Sequence, residues 1–279
     1  MASLVGQPAS APAQQPQQGQ PLRLLPATLA DLETCTRLEL EAMLATSQLA
    51  RVLHPDGITD AVVAEQTAAK AKKFGIPEVE YIKGVLPPQA GDNDGDNGGD
   101  NGAVMVGYLR MYTWATDEAA RIQPPYGSAV DDDKTISHGA EKESASAPRP
   151  DSDATNAAPA SSDDATGLQK IKIQERAVHD GLRERHVSGK KAVYVSALMV
   201  RPEYHGKGGY GRQLLTHALD RARDLGLLVF LIAQPTALGF YQRMGLRVLE
   251  TAVVDFGESS GLGEHRPSLM CFDAGSGSR

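Results

Sequence analysis

The sequence predicts a mixed α/β protein in which helices flank a central mixed β-sheet. Helical and strand-like periodicities alternate along the chain, which is typical of this class. Residues 192–200 (AVYVSALMV) and 227–234 (LLVFLIAQ) are nearly continuous apolar runs. Such runs suit strands that are buried on both faces of a sheet. A strongly amphipathic helical segment, 212–226, separates them, so these three segments form the predicted centre of the fold.

The N-terminal half predicts a strand, two helices and a hairpin. Thr28 is the expected N-cap of the first helix, with Asp31 three residues later as in a capping box. Alternating side chains in the second strand of the hairpin indicate the two-residue period of β-structure. The predicted order is strand 22–26, helix 27–45, loop 46–58, helix 60–74, strand 78–86 and strand 103–114.

The C-terminal half predicts helices and strands in alternation. The helix at 212–226 has an apolar face formed by Leu214, Leu215, Ala218, Leu219, Ala222 and Leu225, and Gly226 ends it. Final strands surround a loop at Gly257–Pro267. The predicted order is helix 168–185, strand 192–200, helix 212–226, strand 227–234, helix 235–245, and strands 246–257 and 268–274.

One segment of low complexity precedes this domain, and two others interrupt it. Residues 1–21 are rich in Gln, Pro and Ala, and the inserts at 89–102 and 116–167 are acidic and lack periodicity, so all three are predicted to be disordered. The folded domain is then 22–274. The formal charge is −7, and residues 89–102 and 131–164 contribute −4 and −6, which leaves the rest at about +3. A mildly basic core suits a small anionic ligand and is far too weakly charged for a nucleic-acid partner.

Several site classes are excluded by the sequence. Cys35 and Cys271 are expected to be reduced thiols, and no metal-ligand spacing is present. An EF-hand pattern starting at Asp92 fails because its sixth position is Asn97 and its twelfth is Ala103. No apolar run reaches the length of a membrane span, and the N-terminus is unlike a signal peptide. We therefore expect a soluble cytoplasmic protein without a membrane partner; the sequence does not define its oligomeric state.

The glycine-rich segment at 200–215, VRPEYHGKGGYGRQLL, stands between a strand and a helix, where phosphate groups are often bound. A Walker loop is excluded because no Lys-Ser/Thr pair follows the glycines. The spacing of Gly206, Gly208 and Gly211 matches a dinucleotide fingerprint. However, five residues (RPEYH) separate it from the strand, and the next strand ends in Ala233-Gln234 rather than in an acid. A Rossmann-type oxidoreductase is thus the weaker alternative.

The segments ALMVRPEYHGKGGYGRQLL and LIAQPTALGFYQRMGL resemble the GNAT superfamily of acetyl-CoA-dependent N-acetyltransferases. The motifs cover about 193–246, and the order of elements from Leu22 onward is similar to that fold. One departure is visible, because the phosphate loop is one glycine longer than the usual pattern. A spare glycine can be absorbed as a bulge. The resemblance implies acetyl-CoA as co-substrate and transfer of its acetyl group to a primary amine by direct attack on the thioester.

The resemblance also implies a set of site residues. Backbone groups of Leu198, Met199 and Val200 would hold the pantetheine arm and the thioester, and Tyr241 would be the general acid. The expected pyrophosphate site comprises His205, Gly206, Lys207, Gly208, Gly209, Gly211 and Arg212. If Tyr241 only packs, the chain would instead be a non-catalytic acyl-CoA-binding protein.

The general base and the acceptor are left open by the sequence. The imaginable bases are a water chain and the side chains of Glu39, Glu41, His54, His205, Glu250 and Asp255. The acceptor is either a small-molecule amine or a protein amine. It would enter between the loops at Thr46–Ile58 and Gly257–Pro267.

Overall fold

The computed structural model describes residues 20–87, 103–121, 167–257 and 260–274. The predicted insert 89–102, almost all of the predicted tail and residues 122–166 of the second predicted insert lie outside these ranges. The strands are β1 Arg23–Pro26, β2 Val79–Leu86, β3 Val104–Trp114, β4 Ala192–Val200, β5 Leu228–Ala233, β6 Arg247–Thr251, β7 Val254–Asp255, β8 Glu264–His265 and β9 Ser268–Asp273. The helices are α1 Leu32–Thr46, α2 Gln48–Leu53, α3 Asp60–Lys73, α4 Asp117–Arg121, α5 Gly167–His186, α6 Tyr210–Leu225 and α7 Leu238–Arg243.

The main sheet has seven strands in the order β1-β2-β3-β4-β5-β9-β6. Every neighbouring pair is antiparallel except β4 and β5, which are parallel and are joined by α6. A parallel pair needs a long crossover connection, and the apolar–amphipathic–apolar sequence of residues 192–234 supplies it. The predicted mixed sheet flanked by helices is confirmed.

The two faces of the sheet carry separate hydrophobic clusters. On one face, Leu32 and Leu38 of α1 pack with Leu182 of α5 over the side chains of Tyr108 and Trp114. On the other face, the predicted apolar face of α6 packs against the strands together with Tyr241 of α7. Leu225 differs from the prediction, because this last residue of α6 is 37% exposed. The sheet is therefore a middle layer between two layers of helices.

Two short helices lie where the sequence predicted none. The loop predicted at 46–58 contains α2, whose N-cap Ser47 accepts a hydrogen bond from the backbone N–H of Ala50 at 3.2 Å. The insert predicted to begin at 116 instead begins with α4. Thr116 caps that helix, since its Oγ1 accepts from the N–H of Ala119 at 3.1 Å. Both helices are shorter than two turns, so their apolar periodicity is too brief to register in the sequence.

The strand predicted at 246–257 is divided into two. β6 pairs with β9 at the edge of the main sheet, whereas β7 pairs with β8 in a second, two-stranded sheet. Val254 and Phe256 bury their side chains against Leu49 of α2 and Ile171 of α5. The chain thus leaves the sheet edge because these apolar side chains cover α2 and α5. The predicted loop Gly257–Pro267 correspondingly contains β8.

Gly107 of β3 allows close contact between β3 and β4. A Cβ added there would lie 2.5 Å from the backbone O of Met199 and 3.0 Å from Cδ1 of Leu214. Gly107→Ala should therefore lower the free energy of unfolding by about 1–3 kcal/mol, because backbone atoms cannot move aside as a side chain can. Urea unfolding measures the change. Gly167→Ala is the control, since its Cβ meets open space, and equal stability of both variants would contradict the packing described here.

Candidate active site

β4 and β5 separate halfway along their length. Their parallel pairing runs from Ala192↔Leu228 to Val195↔Leu231 and extends no further in the described residues. Ser196 is the extra residue of a bulge, where the pairing of β4 with β3 shifts register. Bulges bend a strand and increase its twist. The C-terminal half of β4 therefore borders an open gap in the sheet.

The backbone of β4 presents polar groups to this gap. The N–H of Arg201 donates to the carbonyl of Val106 in β3 at 2.8 Å. Because peptide groups alternate in direction along a strand, those of Val200 and Leu198 face the gap while that of Met199 faces β3. The carbonyl of Val200 is hydrogen-bonded by Nε2 of His205 at 2.7 Å. The N–H groups of Leu198 and Val200 thus point into the gap between the strands.

Residues 205–209, called the glycine turn below, lie between a 3₁₀ turn at Pro202–Tyr204 and α6. Gly206, Gly208 and Gly209 all have positive φ, between 60° and 72°, and Gly209 is the N-cap of α6. No side chain caps this end of the helix. The N–H groups of the first turn of a helix lack intrahelical acceptors, so this end can bind an anion. The additional glycine noted in the sequence is accommodated by two consecutive left-handed residues, Gly208 and Gly209.

Gln213 holds the glycine turn in place, a role that sequence reasoning missed. Its Nε2 donates to the carbonyl of Gly208 at 3.0 Å, and its Oε1 accepts from the N–H of Leu22 at 2.8 Å. Gly211 lies in the first turn of α6, where an added Cβ would contact Phe240 and Leu198 at ordinary distances. Gln213 therefore ties the glycine turn to the residue that precedes β1.

Tyr241 lies on α7 and is buried beside Phe240, with ring centroids 5.0 Å apart in an edge-on arrangement. Burial raises the pKa of the Tyr241 phenol to about 12. The hydroxyl consequently keeps its proton throughout the neutral range and is able to donate it.

A cavity of about 1060 Å³ brings the predicted site residues together. Its walls include all of them except Gly208: Leu198, Met199, Val200, His205, Gly206, Lys207, Gly209, Gly211, Arg212 and Tyr241. The same cavity passes through the gap beside β4 and reaches α1, α3 and α5 on the other side. The arrangement can hold a long anionic ligand at the glycine turn and a second molecule beyond the gap.

The far wall of the cavity carries a charged cluster. Glu39 of α1 forms a 3.0 Å ion pair with Nζ of Lys70 and accepts a hydrogen bond from the hydroxyl of Tyr108. Burial would raise the pKa of Glu39, but the charges of Lys70 and Arg110 outweigh it and hold that pKa at about 2. Arg110 also donates from Nε to Oγ of Ser196 at 2.8 Å, which joins the cluster to the bulge in β4.

Glu39→Gln should lower the free energy of unfolding by about 3 kcal/mol at pH 7, because Lys70 and Arg110 would be left without their counter-charge. Since the pKa of Glu39 lies at about 2 in the folded chain and at 4.5 ordinarily, its contribution is full above pH 4.5 and is lost as pH falls towards 2. Unfolding curves across pH measure this. Glu33→Gln is the control, because that carboxylate is exposed; equal effects of the two variants would contradict the assignment.

The side chains considered as general bases differ in whether they line the cavity. Of the carboxylates among them only Glu39 lines the cavity, and its ion pair makes it a very weak base. Oε2 of Glu41 lies 3.8 Å from Nη1 of Arg201, and Oδ1 of Asp255 accepts from the N–H of Gly257 at 2.8 Å. Glu250 binds Arg185 and His186 at 2.6 Å each, outside the cavity wall. Three of the carboxylates considered from the sequence therefore bind other groups of the protein and do not line the cavity.

Histidines complete the cavity wall. His205 lies at the glycine turn and bonds Val200, as described above. His54, at the end of α2, lines the far side, and burial lowers its pKa. His179 and Glu175 of α5 also line the far side, although neither was singled out in the sequence. Their four-residue spacing on a helix was the available signal, but it does not reveal which face is covered.

Residues 173–246 match the model of the Acetyltransferase (GNAT) family. That segment is therefore similar to the GNAT family. The match runs from α5 through β4, the glycine turn, α6, β5 and α7, so it includes every residue of the predicted GNAT site. It also extends about 20 residues upstream of the motifs recognised in the sequence, across most of α5.

Other comparisons are weaker. No curated protein gives a significant match. A solved structure of histone acetyltransferase HPA2 and related acetyltransferase from Corynebacterium glutamicum is 15% identical, covers 90% of this chain and 96% of its own, and has a TM-score of 0.46. A candidate acetyltransferase from Salmonella typhimurium, solved with acetyl-CoA, is 14% identical, with coverage of 93% and 98% and a TM-score of 0.42. At these TM-scores the likenesses carry no argument about the GNAT site.

The described ranges contain neither a metal-binding group nor a membrane-spanning helix. No group of three His, Cys, Asp or Glu side chains there could hold a metal ion. Among the same residues, no helix has the length and apolar character needed to cross a membrane.

Proposed function

We propose that this chain is an acetyl-CoA-dependent N-acetyltransferase whose folded domain spans 22–274. The observation that carries the proposal is one cavity with three features on its wall. These are the N-terminus of α6, which no side chain caps, the backbone of β4 that borders the gap, and Tyr241. These are the parts needed to hold a pyrophosphate, a thioester and a leaving thiolate in one line. The match to the GNAT family supports the same reading.

The glycine turn would bind the pyrophosphate through the first N–H groups of α6. Lys207 and Arg212 add positive charge at the same wall of the cavity. The N–H groups of Leu198 and Val200 would hold the pantetheine arm and orient the thioester carbonyl. One of them would also donate to the oxygen that becomes negative as the amine attacks, which is the largest contribution expected from a preorganised site.

Tyr241 would complete the reaction by donating its proton to the departing thiolate. Its raised pKa suits this role, because the group must still hold its proton when the C–S bond breaks. The acceptor would approach from the far side of the gap, past Arg110 and the charged cluster. Small-molecule and protein amines both remain candidates for that side.

The dinucleotide-binding alternative is disfavoured by the geometry. In a Rossmann fold the glycines follow the strand directly, so that the pyrophosphate sits at its carboxyl end. Here the 3₁₀ turn Pro202–Tyr204 intervenes between β4 and the glycines. In addition, β5 ends at Ala233 without an acid for a ribose.

The proposed function is tested by release of free thiol from acetyl-CoA. The acceptors are methylamine, spermidine, an aminoglycoside and a peptide with free N-terminal and lysine amines. We expect thiol release that depends on at least one acceptor, together with the acetylated product by mass spectrometry. Binding of acetyl-CoA without turnover on any of them would favour the non-catalytic acyl-CoA-binding alternative.

A further inference from the structure

α5 presents a polar face to the acceptor side of the cavity. Lys172, Glu175, Arg176, His179 and Arg183 all line it. Their spacing of three and four residues places them on one side of the helix. This face belongs to the cavity beyond the gap, where the acceptor amine would lie, and the mechanism described so far does not use it.

Glu175 differs from the other charged groups of that face. It is half-buried, and within the part of the chain that the structure describes it forms neither a hydrogen bond nor an ion pair. Asp180, by contrast, is paired with both Arg176 and Arg183. Burial raises the pKa of Glu175 to about 7. A carboxylate left without a partner against a cavity is available to a ligand.

The fold places Glu175 at the height of the gap. A short turn at 187–191 reverses the chain between α5 and β4, and Arg183 contacts the hydroxyl of Tyr194 on β4 at 3.5 Å. From that contact, Glu175 lies two helical turns along α5, roughly 12 Å. Leu198 lies four residues along β4, roughly 13 Å from Tyr194. Glu175 and the backbone that would hold the thioester line the same cavity.

Other carboxylates of the cavity are unsuited to bind a proton there. Glu39 is held by Lys70 and Tyr108, as described above. Glu65 of α3 is exposed to solvent. We propose that Glu175 is the proton acceptor that converts the incoming ammonium group into a nucleophilic amine. This inference rests on the proposed acetyltransferase function and adds the missing base to it.

The proposed reaction removes two protons from the acceptor nitrogen, one before and one after it attacks the thioester. The ammonium R–NH₃⁺ gives one proton to the Glu175 carboxylate, and the nitrogen lone pair then forms the C–N bond with the thioester carbonyl carbon. The tetrahedral adduct loses a second proton from nitrogen to water and collapses, breaking the C–S bond. The thiolate takes the proton of Tyr241, and water returns one to the phenolate. Glu175 finally releases its proton to solvent, so the products are the amide, the free thiol and one H⁺.

The burial of Glu175 gives this step a defined pH dependence. Lys172, Arg176 and His179 lie within about one turn of Glu175 on α5, and His54 of α2 lines the same cavity. His265 of β8 interacts with His179. Burial lowers the pKa of His179 to about 4 and also lowers the pKa of His54 and His265. Since the base acts when deprotonated, kcat/KM should rise as pH increases through about 7.

The test compares Glu175→Gln with the unaltered full-length chain, using the fastest acceptor of the four named above and hydroxylamine. At pH 7 the variant should lose about 100-fold or more in kcat/KM with the protonated amine. The titration of kcat/KM near pH 7 should disappear, so that the rate follows only the neutral fraction of the amine, and acetyl-CoA affinity by calorimetry should not change. Hydroxylamine is largely neutral at pH 7 and needs no deprotonation, so its rate should fall far less.

Glu184→Gln is the matched control, because it removes an exposed carboxylate from the same helix. Should Glu175→Gln fail to fold, Glu175→Asp takes its place and should keep a titration of kcat/KM near pH 7 at a reduced rate. An unchanged pH profile, or an equal loss with hydroxylamine, would overturn the role of Glu175 while leaving the acetyltransferase function intact. If the unaltered chain releases no thiol with any acceptor, the function fails and this inference fails with it.

Discussion

Tyr241→Phe should lower kcat for acetyl transfer by about 10²–10⁴-fold, the range typical of a removed general acid. The phenyl ring preserves the buried packing against Phe240, so the cavity keeps its shape. Acetyl-CoA affinity should therefore be unchanged, because the proposed role of the hydroxyl is at the leaving thiolate rather than at the bound thioester. Steady-state thiol release and calorimetry measure the two quantities separately.

Tyr204→Phe is the control for this effect. Tyr204 also lines the cavity but packs edge-on against Tyr210 at the glycine turn, with ring centroids 5.8 Å apart. Its hydroxyl has no part in the proposed reaction, and its loss should leave kcat nearly unaltered. If Tyr241→Phe turns over as fast as the unaltered chain, Tyr241 is not the acid, and another donor must supply the proton.

Gly208→Ala should weaken acetyl-CoA binding by about 10-fold or more, equivalent to at least ~1.4 kcal/mol. Gly208 has φ of 60°, and an added Cβ would lie 2.3 Å from Cζ of Tyr210. The ring of Tyr210 is buried, so the turn must change shape to relieve the contact. Such a change redirects the N–H groups that we expect to converge on the pyrophosphate. Calorimetric titration of acetyl-CoA measures the loss.

Gly189→Ala separates this effect from backbone strain alone. Gly189 has φ of 72°, close to that of Gly208, but an added Cβ meets open space and the residue lies outside the cavity wall. It should cost about 1 kcal/mol of stability and leave acetyl-CoA affinity unchanged. Equal affinities for the two variants would show that the glycine turn does not bind the cofactor.

The centre of the fold could be predicted because each local signal agrees with the tertiary structure. The apolar runs became β4 and β5, and the amphipathic segment between them became α6. Asp31 accepts from the backbone N–H of Thr28 at 2.7 Å, as the capping pattern indicated. The division of 246–257 could not be predicted, because Val254 turns towards α2 and α5, elements that are distant in sequence.

The candidate site was predictable to a different degree on its two sides. The glycine turn and Tyr241 belong to local sequence motifs that resemble the GNAT pattern. Gln213 is not, because its hydrogen bond to Leu22 joins residues that are 191 positions apart. The burial of Glu175 could not be predicted for a similar reason, since it depends on how α5 packs against other elements. Sequence patterns thus defined the side proposed for the cofactor and left the side proposed for the acceptor open.

Calorimetric titration of acetyl-CoA into the full-length chain tests the central claim most directly, with NADH titrated in parallel. The account predicts a one-site isotherm with acetyl-CoA, weakened in Gly208→Ala but not in Gly189→Ala, and no heat with NADH. Absence of heat with acetyl-CoA at millimolar concentration, or saturable binding of NADH instead, would contradict it.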